Sequence, residues 1–183
     1  MKKAIPLSVG LLLILAACAS LQHRGQHIAW PEEINRLKAM CELDMSWKGM
    51  KYNGTMSLTL VYPFQLQMEV YGPFGDTLVY LRRDHKDFLM VTKEERITDV
   101  REFEKRFGIR LDEFIDDLAM RGPKQNINGI PGVLRERYKV LYRLADNENS
   151  ICWEGDEGRI CVKFMEAEFD GEGHLAQNRD RGI

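Results

Sequence analysis

Several stretches of this chain alternate apolar and polar side chains with a period of two, and that alternation constrains its fold more than any other feature. Cys41, Leu43, Met45 and Trp47 alternate with Glu42, Asp44, Ser46 and Lys48. Met56, Leu58, Leu60 and Tyr62 alternate with Ser and Thr, and Phe64, Leu66, Met68 and Val70 with Gln65, Gln67 and Glu69. Tyr138, Val140, Tyr142 and Leu144 alternate with charged and polar residues. Successive side chains of a strand point to opposite faces, so each run is half-buried, as in an antiparallel sheet with one face inside. Between the runs, Tyr52-Asn53-Gly54 is predicted as a hairpin turn, Pro63 as an interruption and Gly72-Pro73-Phe74-Gly75 as a loop. A fourth strand is expected over Thr77–Leu81, a fifth over Phe88–Thr92 after a turn at Asp84–Asp87, a short piece at Ile97-Thr98, and a last strand over Phe164–Phe169.

Helical spacing occurs in three places. Pro31, Glu32 and Glu33 suit a first helical turn, and Ile34, Leu37 and Met40 or Cys41 share a face, which predicts a helix over 31–40. Val100, Phe103 and Phe107 share a face that ends at Gly108. Phe114, Ile115 and Leu118 line a helix from about Asp112 to Met120, stopped by Gly122-Pro123. The polar stretch from Gln125 to Gly132 reads as a connection. The order is helix, strands, two helices, strands. It predicts a mainly β (α+β) domain in which a curled antiparallel sheet has its inner face plugged or covered by the helical insert.

The N-terminus carries a different signal. Lys2 and Lys3 precede an apolar run from Leu7 to Leu15, and Leu15-Ala16-Ala17-Cys18 follows. The run is well short of the ~20 residues that span a bilayer, so it reads as a secretory signal. Small residues directly before a cysteine resemble the bacterial lipobox, which implies cleavage after residue 17 and acylation of Cys18. Residues 1–17 are then a lipoprotein signal peptide, 18–29 a polar tether, 30–175 the folded domain and 176–183 a polar tail. Ala19 is not the Asp that resembles an inner-membrane retention signal, which favours the outer membrane of a Gram-negative bacterium, periplasmic face.

Of 26 basic side chains, Lys2 and Lys3 leave with the signal; 24 remain against 28 acidic ones, a formal charge of −4. That balance argues against nucleic acid as a partner and supplies no polybasic patch for anionic lipid. Membrane attachment falls to the acyl chains. The remaining chain is long enough to bury a core without disulfide staples, and a monomer is expected.

With Cys18 assigned to lipid, Cys41, Cys152 and Cys161 remain. A two-residue turn at Asp156-Glu157 sets Cys152 and Cys161 directly opposite each other, with both sulfurs on one face. Two outcomes stay open, a disulfide or a pair of small buried thiols. Cys41 has no evident partner.

Signals for catalysis are sparse. His23, His27, His85 and His174 form no HExxH pair and no ligand set. There is no G-x-S-x-G elbow, P-loop or G-x-G-x-x-G. Asp112, Glu113, Asp116 and Asp117 read as a solvated helix start favoured by the dipole. No cofactor or metal is expected, and the chain is not expected to be an enzyme. Methionines at 40, 45, 50, 56, 68, 90, 120 and 165 suit either ordinary core filling or an adaptable apolar ligand surface.

Tyr71-Gly72-Pro73-Phe74-Gly75-Asp76-Thr77-Leu78 resembles the strand, Pro–apolar–Gly tip and strand of the LolB family, outer-membrane lipoproteins that receive other lipoproteins from a periplasmic carrier. The order of lipobox, helix, strands, this loop, the segment from Ile109 to Pro123, and the later hairpins also resembles that family, over about Trp30 to Leu175. The resemblance implies an incomplete antiparallel β-barrel with a helical lid over an apolar cavity that takes lipoprotein acyl chains. Candidate cavity residues are Met45, Trp47, Met56, Leu58, Leu60, Leu66, Met68, Phe103, Phe114 and Leu118. The resemblance also implies that Phe74, between Pro73 and Gly75, contacts membrane lipid. Two residues depart from the pattern: Phe74 stands where the family has Leu, and Asp117 lies near where it tends to carry Trp. A carrier of free lipid or glycolipid, and a structural lipoprotein with a filled core, are the alternatives.

Overall fold

The period-two runs form strands that pair with their neighbours in sequence. The computed structural model describes residues 28–145 and 148–169. The signal, Cys18, His23, His27, His174 and the polar tail lie outside the described residues. In chain order the elements are β1 (Arg36–Trp47), β2 (Met50–Val61), β3 (Gln65–Tyr71), β4 (Thr77–Asp84), β5 (Asp87–Thr92) and β6 (Arg96–Ile97). There follow α1 (Val100–Phe107), α2 (Leu111–Leu118), β7 (Gln125–Ile127), β8 (Ile130–Leu134), β9 (Tyr138–Arg143), β10 (Ser150–Gly155) and β11 (Gly158–Phe169).

All eleven strands belong to one antiparallel sheet in the order β6-β5-β4-β3-β2-β1-β11-β10-β9-β8-β7. Two meanders therefore meet along β1 and β11, and α1–α2 carries the chain from one sheet edge to the other. The edges β6 and β7 do not pair with each other, so the sheet is not closed into a barrel.

The inner face is the alternating apolar set. Leu37, Ala39, Cys41 and Leu43 of β1 lie opposite Leu60, Leu58, Met56 and Gly54 of β2. Leu60, Leu58 and Met56 in turn oppose Leu66, Met68 and Val70 of β3. Across the seam, Val162 and Ile160 of β11 oppose Ile151 and Trp153 of β10. The helices lie on this face. Phe103 of α1 packs on Phe88 of β5 at 5.3 Å between ring centroids, and Phe114 of α2 packs on Trp153 of β10 at 4.8 Å. In a flat sheet β5 and β10, six places apart, would be separated by about 29 Å at the usual strand spacing. Two helices of eight residues, each about 12 Å long, touch both. The sheet therefore curls around them.

Four expectations are corrected. The helix predicted over 31–40 is absent: residues 31–35 have no regular structure and β1 begins at Arg36. Ile34, Leu37 and Cys41 mimic helical spacing, but Leu37, Ala39, Cys41 and Leu43 all point inward. Pairing with β2 and β11 on both sides overrides the local signal. The turn predicted at Asn53-Gly54 lies instead at Lys48-Gly49, both at positive φ (48° and 80°), with Trp47 opposite Met50. Asn53 and Gly54 sit inside β2, where the Tyr52 ring lies over Gly54 so closely that a Cβ there would overlap the Tyr52 hydroxyl. The stretch from Gln125 to Gly132 contains β7 and the start of β8, joined by a turn at Asn128-Gly129 (φ 53° and 88°). Phe64 is not an inward strand residue; it is 53% exposed, at the turn after the cis Tyr62-Pro63 bond. In addition, Ile28, assigned to the tether, is buried, and Trp30 packs on Phe164 and Phe169.

Candidate functional site

A pocket of about 460 Å³ lies between the inner face of the sheet and the helices. Leu43 and Met45 of β1, Met50 and Tyr52 of β2, Met68 and Val70 of β3, and Val79 and Leu81 of β4 form one wall. Met90 of β5 and Ile160 and Val162 of β11 extend it, and Phe103, Phe107, Ile109 and Phe114 line it from the helical side. On the α1 side a directed bond adds to the packing: Trp47 Nε1 donates to the carbonyl of Phe107, the last residue of α1, at 2.7 Å. The charged lining residues are Lys93, Glu94, Glu95 and Arg106, all at the β5–β6 turn and the facing last turn of α1.

Of the ten residues proposed from sequence as a cavity wall, Met45, Met68, Phe103 and Phe114 line this pocket. Trp47, Met56, Leu58, Leu60, Leu66 and Leu118 are instead packed in the core, each 1% exposed or less. The alternation identifies inward residues but not which of them the helices cover. Leu81, Met90, Ile109 and Ile160 line the pocket without having been proposed. For Leu81, Met90 and Ile160 the signal is the same alternation in β4, β5 and β11, strands whose outer faces are also partly apolar; Ile109 lies in the connection between the two helices and carries no such signal.

Beside the pocket, the β3–β4 hairpin ends in a tip whose geometry follows from its residues. Gly75 N–H bonds the Gly72 carbonyl at 3.0 Å and Gly72 N–H bonds the Asp76 carbonyl at 2.7 Å. Pro73 holds the second turn position, and Gly75, at φ 81°, supplies the left-handed residue that such a three-residue hairpin loop needs. Phe74 is thereby presented at 96% exposure, the highest among the large exposed apolar residues. Asp76 carries the tip toward the pocket mouth through an ion pair with Lys93 at 2.8 Å, and that bond holds the Asp76 carboxyl below the usual range.

Asp117, read from sequence as part of a solvated acidic run, is wholly buried. Its Oδ1 accepts from Arg135 Nε and Nη2 at 3.0 and 2.6 Å. Its Oδ2 accepts from Trp153 Nε1 at 3.1 Å and Tyr138 Oη at 3.3 Å. The Tyr142 hydroxyl donates to its backbone carbonyl at 3.2 Å. Burial outweighs these donors and pushes the carboxyl up to about 6. Sequence held one clue: Asp117 lies three residues after Phe114, on the same helical face. Asp112 by contrast is exposed and pairs with Arg83.

Cys152 and Cys161 are directly opposed and joined by a disulfide on the outer face of the sheet. They sit in a polar depression with Asp44, Arg159, Lys163 and Glu42, whose charges pair across the strands. Cys41 is a buried free thiol, pushed up to about 12 by desolvation, which suits a core residue and not a nucleophile. His85 is exposed, bonded to Asp84 at 2.8 Å and stacked on Phe64. Among the described residues, no group of three or more His, Cys, Asp or Glu is arranged to hold a metal, and no helix is long and apolar enough to cross a membrane. The chain matches no protein-family model and no curated protein.

Proposed function

We propose that the protein is a lipid-anchored receptor of the outer membrane that accepts lipoprotein acyl chains from a periplasmic carrier and delivers them to the bilayer. The observation that carries this reading is the pairing of an apolar-walled pocket with a neighbouring hairpin tip that exposes a single large apolar side chain, Phe74. In this reading α1 and α2 act as the lid of an acyl-chain cavity. The volume, about 460 Å³, falls within the roughly 300–1,000 Å³ of small-ligand sites. Each methylene moved from water into such a wall contributes about 0.8 kcal/mol, so chains pass between carrier, receptor and bilayer by relative burial, with no nucleotide or covalent step. Acylated Cys18 keeps the domain beside its target membrane, and Phe74 turns the pocket mouth toward it.

The experiment is a reconstituted transfer. Carrier loaded with a lipoprotein is mixed with the full-length protein in outer-membrane vesicles. Cargo is expected to leave the carrier and appear in the vesicles, and depletion in cells is expected to trap lipoproteins on a soluble carrier. Cargo that stays on the carrier at every receptor concentration overturns the reading. The carrier of free lipid is the second reading, favoured by the charged end of the pocket. A lipid co-purifying with the protein and identified by extraction and mass spectrometry, together with failure of transfer, selects it.

A further inference from the structure

The pocket is chemically two-ended. Its walls are apolar except for Tyr52, Thr92 and the charged group at one mouth. There the β5–β6 turn is held by Thr92, whose Oγ1 accepts from the backbone N–H groups of Glu94 and Glu95, each at 3.2 Å. That turn places Lys93, Glu94 and Glu95 opposite Arg106 of α1. Both cations already hold a carboxylate: Lys93 pairs with Asp76 and Arg106 with Glu95.

We propose that the pocket takes one acyl chain of an amphiphile whose head is a phosphate–ammonium zwitterion, seated among Lys93, Glu94, Glu95 and Arg106. The inference rests on the reading of the pocket as an acyl-chain site and names the chemistry at its mouth.

The mouth itself argues for both signs of charge in the ligand. A purely anionic head meets Glu94 and Glu95, and a purely cationic one meets Lys93 and Arg106. A zwitterion finds a partner for each. The phosphate suits the Arg106 fork and the Lys93 ammonium, and the ligand's ammonium suits the two glutamates. The resident ion pairs are half exposed, with side-chain exposures of 35–69%. Exposed pairs of this kind contribute little, so a head group can exchange with them. The volume, in the lower half of the small-ligand range, fits one chain inside the wall. A single-chain phospholipid and one chain of a two-chain phospholipid share this chemistry.

The test is competition against a neutral apolar fluorophore bound to the delipidated full chain. The competitors share one acyl chain: lysophosphatidylethanolamine (zwitterionic), lysophosphatidylglycerol (anionic) and monoacylglycerol (neutral). The zwitterion is expected to compete about ten-fold better than either, the equivalent of one charge-assisted hydrogen bond. Arg106→Gln and Glu94→Gln are each expected to bring it to parity with the neutral lipid, whose own competition stays unchanged. Di-acyl phosphatidylethanolamine, added as short-chain monomer, competing as well as the lyso form identifies the two-chain source; competing only weakly, it identifies the single-chain one. Equal competition by the neutral and zwitterionic lipids, or a preference for the anionic lipid that Glu94→Gln leaves unchanged, overturns the head-group assignment while leaving the acyl site standing. A fluorophore that does not bind at all overturns both.

Discussion

Asp117 Oδ1 accepts two N–H groups of Arg135, Nε at 3.0 Å and Nη2 at 2.6 Å, in a pair whose carboxylate is wholly buried and whose guanidinium is only partly so. The pair joins α2 to the β8–β9 connection. Trp153 of β10 and Tyr138 of β9 complete the shell of the same carboxylate, so one side chain ties the helix to three parts of the sheet. Phe114, one turn earlier in α2, stacks on the same Trp153 and lines the pocket. The carboxylate thus fixes the position of a pocket wall as well as the helix that carries it.

Asp117→Ala removes the acceptor from four donors and leaves the Trp153 indole N–H and part of the Arg135 guanidinium buried without a partner. Breaking a buried pair by deleting one member costs about 3–5 kcal/mol. Urea denaturation is expected to show a loss of that order, whereas Asp112→Ala, at an exposed ion pair, shifts stability by less than about 1 kcal/mol. Equal effects from the two variants would show that the shell around Asp117 is dispensable.

The pH dependence follows from the same residue. Its carboxyl titrates near 6 in the fold against 3.8 in the unfolded chain. A raised folded value means that the protonated form is favoured in the fold. This contribution is therefore full below pH 3.8 and is lost as pH rises through 6. Stability of the wild type relative to Asp117→Asn is expected to increase between pH 7 and pH 4, by on the order of 2–3 kcal/mol at about 1.4 kcal/mol per unit. A difference that stays flat over that window, or falls, contradicts the raised value.

Phe74→Glu changes a side chain that touches almost nothing. Thermal unfolding is expected to match the wild type, since isolated surface substitutions stay within about 0.5 kcal/mol. Binding to vesicles by the protein lacking its acyl chains is expected to fall roughly ten-fold or more, because burying a Phe contributes ~1.5–3 kcal/mol. Phe64→Glu, the same change at another exposed aromatic, is the control. Equal loss from both would assign the effect to charge and not to the tip.

The disulfide closes a loop of sequence separation 9. The chain-entropy relation gives a loss of roughly 2–3 kcal/mol for the Cys152→Ser/Cys161→Ser double variant. Alkylation of the denatured protein without reductant is expected to label Cys41 and leave Cys152 and Cys161 unmodified, read by mass. Labelling of all three shows the bond to be unformed.

The alternating runs made most of the sheet legible from sequence, because period two survives wherever one face is buried and the other wet. The two Asn-Gly dipeptides show where local reading stops. Asn128-Gly129 forms the turn that its chemistry favours, while Asn53-Gly54 lies inside a strand. What separates them is a two-residue loop at Lys48-Gly49, whose register is set by Trp47, Tyr52 and the partner strands. The pocket was half legible for a similar reason. Met45 and Leu60 are equivalent by pattern, yet one faces the pocket and the other the core, because only tertiary placement of α1 and α2 separates them. Asp117 is not legible as a core residue, because a carboxylate in an acidic run signals solvent until Arg135, eighteen residues away, is brought beneath it.

The pairing of β1 with β11 has a consequence for how the chain assembles. Among the described residues, the first and last strands are neighbours at the middle of the sheet, with Leu37 opposite Phe169. As the chain emerges from its N-terminus, β1 to β6 can zip hairpin by hairpin, but the inward edge of β1 stays open until the final strand arrives. That edge presents unpaired backbone groups and apolar side chains, the features that invite wrong partners. Such non-local closure is slow compared with hairpin formation. The half-made domain is thus the species most exposed to mispairing, and the exposure is concentrated on the waiting β1 edge.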